Sequence, residues 1–342
     1  MGITNFPHGL ASMGVPVLGN GIPLTVGEVF YLVTAKTAAD AYYTRLSNLV
    51  DDDRIFSTLA SAYTNMTTLQ GDVLIVCPGS HAQTASLTWS KADTAIIGMM
   101  PHRATYHAAG QPRIVCTTAA VASILNINAA NVSMFNIGTY NAAADSGNLY
   151  DIIITKNNFY AEGCHFRGGN NTTQTTASST APAGVPITLA ADGSAANGGY
   201  FKDCTIGSSG NAVRTKGPGC FFVPASSGGF GLTFESCTFS MWSTAGTGYN
   251  LSMVYLVGNA SIARELLFKK CFFYNFCGGS PGTTEELDVC IQDGSTSDHS
   301  IVLMDCVARG VTAWTSNSDF TWVGSGAQPV AHGGISVKAD IT

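Results

Sequence analysis

The sequence predicts an all-β solenoid, a parallel β-helix, and three observations predict it. First, "FKDCTI" (201–206), "FESCTF" (234–239) and "FKKCFF" (268–273) echo one another, with a looser copy in "LMDCVA" (303–308). Second, Cys164, Cys204, Cys237, Cys271 and Cys306 follow one another at intervals of 40, 33, 34 and 35 residues. A period in this range belongs to solenoids, propellers and helical arrays. Third, the composition suits strands joined by turns, with 38 Gly, 45% hydrophobic residues and only 11% charged ones, about half the usual share.

Helical arrays are disfavoured because the units carry aromatic and β-branched residues at alternating positions, Phe234, Ser236 and Thr238 against Glu235, Cys237 and Phe239. A propeller repeats at a longer period with four alternating strands per blade. One strong strand signature per period favours the parallel β-helix, of about seven coils by length over period. Upstream, "GDVLIVCPGSH" (71–81), "TAIIGMM" (94–100), "RIVCTT" (113–118), "ASILNINAANVSMFNI" (122–137) and "YDIIITKNNFY" (150–160) are short β runs ending in Gly, Pro, Asn or Asp. They read as earlier coils with more variable turns.

Between them and the start, "DDDRIFSTLASAYTNM" (51–66) changes period, placing Ile55, Phe56, Leu59, Ala60, Tyr63 and Met66 on one helical face. Asp51, Asp52 and Asp53 stand where carboxylates cap free N–H groups, and a short amphipathic helix here would cover the open end of the solenoid. Residues 168–200, the one low-complexity stretch, read as a long surface loop that lengthens its coil. The chain accordingly divides into residues 1–34 (arm and first strand), 35–70 (helical cap), 71–320 (parallel β-helix) and 321–342 (C-terminal tail).

Stacked coils repeat at about 4.8 Å, so inward side chains form ladders, and a small, often buried residue such as Cys fits one. Disulfides between rungs are disfavoured, since parallel Cβ atoms near 4.8 Å lie beyond the usual bridge separation of about 3.8 Å. Cys164, Cys204, Cys237, Cys271 and Cys306 therefore read as a structural ladder of reduced thiols. His165 adjoins Cys164, but strand neighbours point to opposite faces.

Catalytic groups are harder to find. Asp203 and Asp305 precede the repeat Cys, yet Ser236 and Lys270 occupy the rungs between, leaving the carboxylates about 14 Å apart, too far for either glycosidase geometry. Glu235, Glu285, Glu286, Asp288, Asp293 and Asp298 read as surface acids. His102 and His107 lack a third ligand at metal spacing, and no phosphate-binding loop, nucleophile elbow or dinucleotide fingerprint occurs. No cofactor and no metal site is predicted. A net charge of −6 with only 16 Lys and Arg argues against nucleic acid, and no apolar run is long enough to span a bilayer.

Residues 1–27 contain no Lys, Arg, Asp or Glu, and Pro7, Gly9, Gly14, Pro16, Gly19 and Pro23 interrupt every apolar run. This is not the pattern of a secretory signal, and the chain reads as soluble and made in the cytoplasm. Ile3, Phe6, Pro7, Leu10, Met13, Val15, Val17, Leu18 and Ile22 cannot form a core alone. They can lie extended along another protein, adding backbone hydrogen bonds.

"DRIFSTLASAYTNMTTLQGDVLIVCPGSHAQT" followed by "NVSMFNI" resembles the pectin-lyase-like fold, whose first coil commonly has a helix, then Gly-Asp, a strand and Pro-Gly-x-His. The resemblance covers roughly residues 50–310 and implies a right-handed parallel β-helix with an N-terminal extended arm and a short capping helix. The opening "MGITNFPHGLASMGVPVLGNGIP" is similar to the start of bacteriophage head proteins of this fold that decorate or cement the capsid. That similarity implies a homotrimer on the major capsid protein, at the outer surface of the virion, with the nine arm residues above binding the capsid. No catalytic signature of pectate lyases or polygalacturonases is present. The rival expectation is a tailspike-like glycan depolymerase using Asp203, Asp305 or Glu235. A third is a solenoid that binds surface glycan without catalysis, through Trp242, Tyr249, Trp314 and Trp322.

Overall fold

A computed structural model describes residues 11–12, 15–16, 27–100, 110–169, 172–175, 183–190, 196–207, 214–215, 217–225, 227, 229, 231–243, 251–258, 265–276, 287–294, 301–316, 320–323 and 325. The chain winds as a right-handed parallel β-helix. Each coil visits three sheets in turn, of eleven, eight and eight strands, and every pairing in these three sheets is parallel. We call them the first, second and third sheets in that order. The second sheet counts eight rungs, one more than length over period suggests, because the upstream coils are shorter: Ser133 and Tyr160 pair one coil apart.

One coil illustrates the rest. Leu232–Glu235 runs in the first sheet, Thr238–Trp242 in the second and Ser252–Leu256 in the third. Alternation decides which side chains enter: Phe234 and Phe239 are fully buried, while Thr233, Glu235 and Thr238 face outward. Three strands per coil replace the single signature seen in the sequence. The low-complexity stretch also holds a strand: Val185–Leu189 belongs to the third sheet, with all five residues buried. It is therefore not one continuous surface loop.

The interior is built of aromatic ladders. Phe201 stacks on Phe234 and Phe234 on Phe268, while Phe239 stacks on Phe273 in the second sheet. The two columns meet edge to face, Phe234 against Phe239 at 5.3 Å and Phe239 against Phe268 at 5.5 Å.

At the N-terminal end, Val29–Leu32 inserts between Ile55–Phe56 and Val73–Val76 in the first sheet. The predicted helix is present but begins later. It spans Leu59–Asn65, capped by Thr58, whose hydroxyl accepts from Ser61 N at 3.2 Å. The triple Asp does not cap it. Asp52–Arg54 form one 3₁₀ turn, and Ile55–Phe56 are taken by pairing with Tyr31–Leu32, which leaves no room for a helix before Thr58. Asp52 instead forms an ion pair with Lys36 at 2.7 Å. A second helix, Ala41–Leu46, is capped by Asp40, whose carboxylate accepts from Tyr42 N and Tyr43 N. Leu59, Ala62 and Met66 join Phe30, Leu74 and Trp89 in the main core, so the later helix does close the solenoid's open end. Phe320–Val323 pairs with Ile301–Met304 and continues the first sheet past residue 320. No helix among the described residues is long and apolar enough to cross a membrane.

Candidate functional site

The repeat Cys lies at the edge joining the first and second sheets. Six successive rungs make this turn with two residues, of which the first has positive φ: Asn136 53°, Gly163 63°, Asp203 50°, Ser236 54°, Lys270 53° and Asp305 52°. The second is Ile137 and then each Cys of the ladder. Positive φ turns the chain through the corner and points the second side chain into the core. The exposed Asp203 and Asp305 are thus turn residues and belong to neither flanking strand.

Every ladder thiol meets two carbonyl oxygens. Cys237 Sγ lies 3.4 Å from Glu235 O in its own coil and 3.4 Å from Phe201 O in the coil before. The same pair of contacts recurs at Cys164, Cys204, Cys271 and Cys306. A carbonyl accepts only from the protonated thiol, and burial pushes the thiols of Cys164 and Cys237 up. Nine cysteines are described; all are buried and none is in a disulfide. The five ladder thiols form a continuous buried column. His165 departs from expectation, since it is buried like Cys164, with Nε2 3.0 Å from Gly207 O. The corner separates the two residues, so strand alternation does not apply between them.

The outward acids of the first sheet are occupied by neighbouring rungs. Lys202 Nζ pairs with Glu162 at 2.8 Å and Lys269 Nζ with Glu235 at 2.9 Å. The hydroxyl of Tyr160 donates to Glu162 at 2.6 Å, and that of Tyr200 donates to Glu235. Burial pushes the Glu162 carboxyl up, but Lys202 and Tyr160 outweigh it and hold it below its ordinary value. Tyr200 and Lys269 do the same for Glu235. The result is a strut of alternating charge across four rungs, not a free acid–base pair. Asp203 and Asp305 stand three rungs apart in the turn series, with Ser236 and Lys270 between them.

Other titratable groups are dispersed. Asp151 is fully buried, and its Oδ2 accepts from Thr139 Oγ1 and Gly168 N, both at 2.8 Å. Burial pushes its carboxyl up to about 7. His81 is buried with Nε2 2.8 Å from Cys77 O, and Asp293 is buried as well, not a surface acid. Asp288 is exposed. Among the described residues no group of three His, Cys, Asp or Glu could hold a metal ion. His8, His102, His107, His299, His332, Glu285, Glu286 and Asp298 lie outside the described residues.

The feature that stands out on the exterior is aromatic. In the second sheet, Trp242, Phe272, Tyr274 and Phe276 face outward on adjacent rungs, followed by Val307 and Arg309. Phe272 is 38% exposed, Phe276 40% and Val307 54%. Trp242 meets Phe276 edge to face at 5.7 Å, Phe272 stacks on Tyr274, and the Arg309 guanidinium lies 5.7 Å from the Tyr274 ring. Further along the face Arg167 lies 4.4 Å over Tyr140. Of the four aromatics expected to be exposed, Trp242 is half-buried here, while Trp314 is in the core against Phe273. Tyr249 and the side chain of Trp322 lie outside the described residues. Phe272, Tyr274 and Phe276 were not singled out from sequence, although their alternation with Phe273 and Asn275 in "FFYNF" carries the signal.

Of the arm residues Ile3, Phe6, Pro7, Leu10, Met13, Val15, Val17, Leu18 and Ile22, only the backbone of Val15 is described. Val15–Pro16 pairs antiparallel with Ala11–Ser12, and the side chains of all nine lie outside the described residues.

No protein-family model matches the chain, and no curated protein sequence matches it. Among solved structures it is similar to a pectin methylesterase from Aspergillus niger, at 13% identity over 87% of this chain and 84% of that one, with a TM-score of 0.47. It is similar to a rhamnogalacturonan lyase, at 13% identity over 88% and 75%, TM-score 0.48. The tailspike protein of Dettilon is a third, at 12% identity over 87% and 59%, TM-score 0.38. The likeness is one of fold.

Proposed function

We propose that this chain is a non-catalytic structural protein of a phage virion, which decorates and stabilises the capsid as a homo-oligomer bound to the major capsid protein. One observation carries the contact-making part of this reading. On the described exterior, Glu162, Lys202, Glu235 and Lys269 are engaged with one another and with tyrosines, whereas Phe272, Phe276 and Val307 stand exposed. A sheet whose outward acids and bases are paired, beside one that presents apolar groups, suits association better than chemistry. The similarity of residues 1–23 to the start of decoration proteins supports the capsid as the target, and an uncharged segment of that kind suits docking in extended form.

Quantifying the chain in purified particles tests the reading. Hundreds of copies per particle are expected of a shell component, and tens would point to a tail spike. Deleting residues 2–25 should abolish attachment to particles without altering the melting of the solenoid; undiminished attachment would overturn the role of the arm.

A second reading takes its support from the outward rings of Trp242 and Tyr274, which could stack on sugars. It predicts retention on host surface polysaccharide, with saccharide fragments released only if the chain is also a depolymerase.

A further inference from the structure

We infer that the outer face of the second sheet is where copies of this chain pack against one another. The inference deepens, and rests on, the multimeric reading above by naming the surface responsible.

Its composition sets this face apart. The eight strands Gly79–Gln83, Pro112–Cys116, Gly138–Asn141, His165–Gly169, Thr205–Gly207, Thr238–Trp242, Phe272–Phe276 and Val307–Arg309 contain no Asp, Glu or Lys. Their charged residues are Arg113, Arg167 and Arg309. The first sheet, by contrast, carries both signs in alternation. Aromatic residues and Arg enriched, with Lys, Glu and Asp depleted, is the signature of the buried centre of a protein–protein interface. The exposed rings are contiguous as well: Thr238 pairs with Phe272 and Phe272 with Val307, Trp242 with Phe276, and Tyr274 with Arg309. A patch of this kind across three rungs marks an interaction surface more than a scatter of single apolar residues does.

Charge complementarity points to a second copy as the occupant. The chain carries −6 in all, so with the three arginines of this face set aside the remainder carries −9. An arginine-bearing apolar face therefore finds its complement on the other sides of the same molecule. Two exposed acids, Asp203 and Asp305, lie close by on the corner that leads into these strands, with Lys270 on a rung between them. Face against corner is a heterologous contact, which closes into a ring where the rotation between copies divides a full turn. A saccharide fits less well, because the most exposed groups, Phe272, Phe276 and Val307, offer it no hydrogen bond, Ser240 between them is buried, and Arg309 already lies against the Tyr274 ring.

The test uses the full chain and its Phe272→Glu/Phe276→Glu double variant. Mass is measured by light scattering across the micromolar range, beside thermal melting. The wild type is expected at a multiple of 35.6 kDa and the variant at 35.6 kDa with unchanged melting. A wild type that stays at the single-chain mass overturns both this inference and the multimeric reading. A folded variant that keeps the wild-type mass overturns the face alone. Should the variant fail to fold, a photo-crosslinking amino acid at position 272 decides: bonds to a second copy support the face, and their absence removes it. Glycan retention by a single-chain wild type, lost in the variant, overturns the inference in favour of a saccharide.

Discussion

The rings of Phe201 and Phe234 lie one rung apart, with centroids 4.6 Å from each other and planes 12° from parallel. Phe234 also touches Phe221, Phe239 and Phe268, so its ring joins all three walls of the core. Phe234→Ala should cost about 3–5 kcal/mol, as for other buried Phe truncations. Denaturant unfolding measures this, and a loss below 1 kcal/mol would mean the column does not hold the coils together.

The thiol ladder predicts silence. An aromatic disulfide reagent applied to the native protein should modify at most one of the ten cysteines, Cys277, which lies outside the described residues, and all ten after denaturation. Two or more fast-reacting native thiols would contradict the burial described. Cys237→Leu should destabilise by about 1–3 kcal/mol through overpacking.

Asp151 imposes a pH dependence. Its carboxyl is pushed up to about 7 in the folded chain against about 3.9 unfolded, so the folded state binds the extra proton between these values. Stability from this group is full below about pH 4, falls as pH rises towards 7, and is flat above. Asp151→Asn should remove that fall while keeping an oxygen for Thr139 and Gly168. Melting curves from pH 4 to 8 decide it, and equal slopes in the two proteins would refute the assignment.

The turn residue of positive φ is a further point of strain. Lys270, at φ 53°, should accept Gly or Asn with little change, whereas Lys270→Val should cost about 1–2 kcal/mol. Equal stability of the Val and Asn variants would show that the corner relaxes.

Much of the fold was legible because one strand and one corner repeat the same frame, Phe-x-x-Cys, and burial fixes those letters. The third sheet was not, since "PGCFFV" (218–223), "SMVYL" (252–256) and "LDVCIQD" (287–293) are mostly buried but repeat no common frame of residues. The corner hid for a different reason. Asn, Gly, Asp, Ser and Lys all occupy its left-handed position, so residue type does not announce the conformation. Strand alternation read straight through the corner therefore puts His165 and Cys164 on opposite faces, although the turn between the sheets buries both. The start of the helix was misplaced because helical spacing runs through Ile55 and Phe56, while tertiary pairing with Tyr31 and Leu32 took them into the sheet. The aromatic face went unread because Phe is more often core than surface, and only strand alternation separates Phe272 from Phe273.

The two-residue corner also governs where this molecule can change length. Between the first and second sheets the chain spends two residues on each of six successive rungs, whereas eight residues, 142–149, separate the second-sheet strand from the third in a single coil. Insertions can accumulate on such longer connections without disturbing the stacking of coils, whereas on these six rungs an added residue would displace the side chain that the two-residue turn points into the core. The solenoid therefore has a spine and two adjustable margins, and foreign peptides grafted for display belong on the margins.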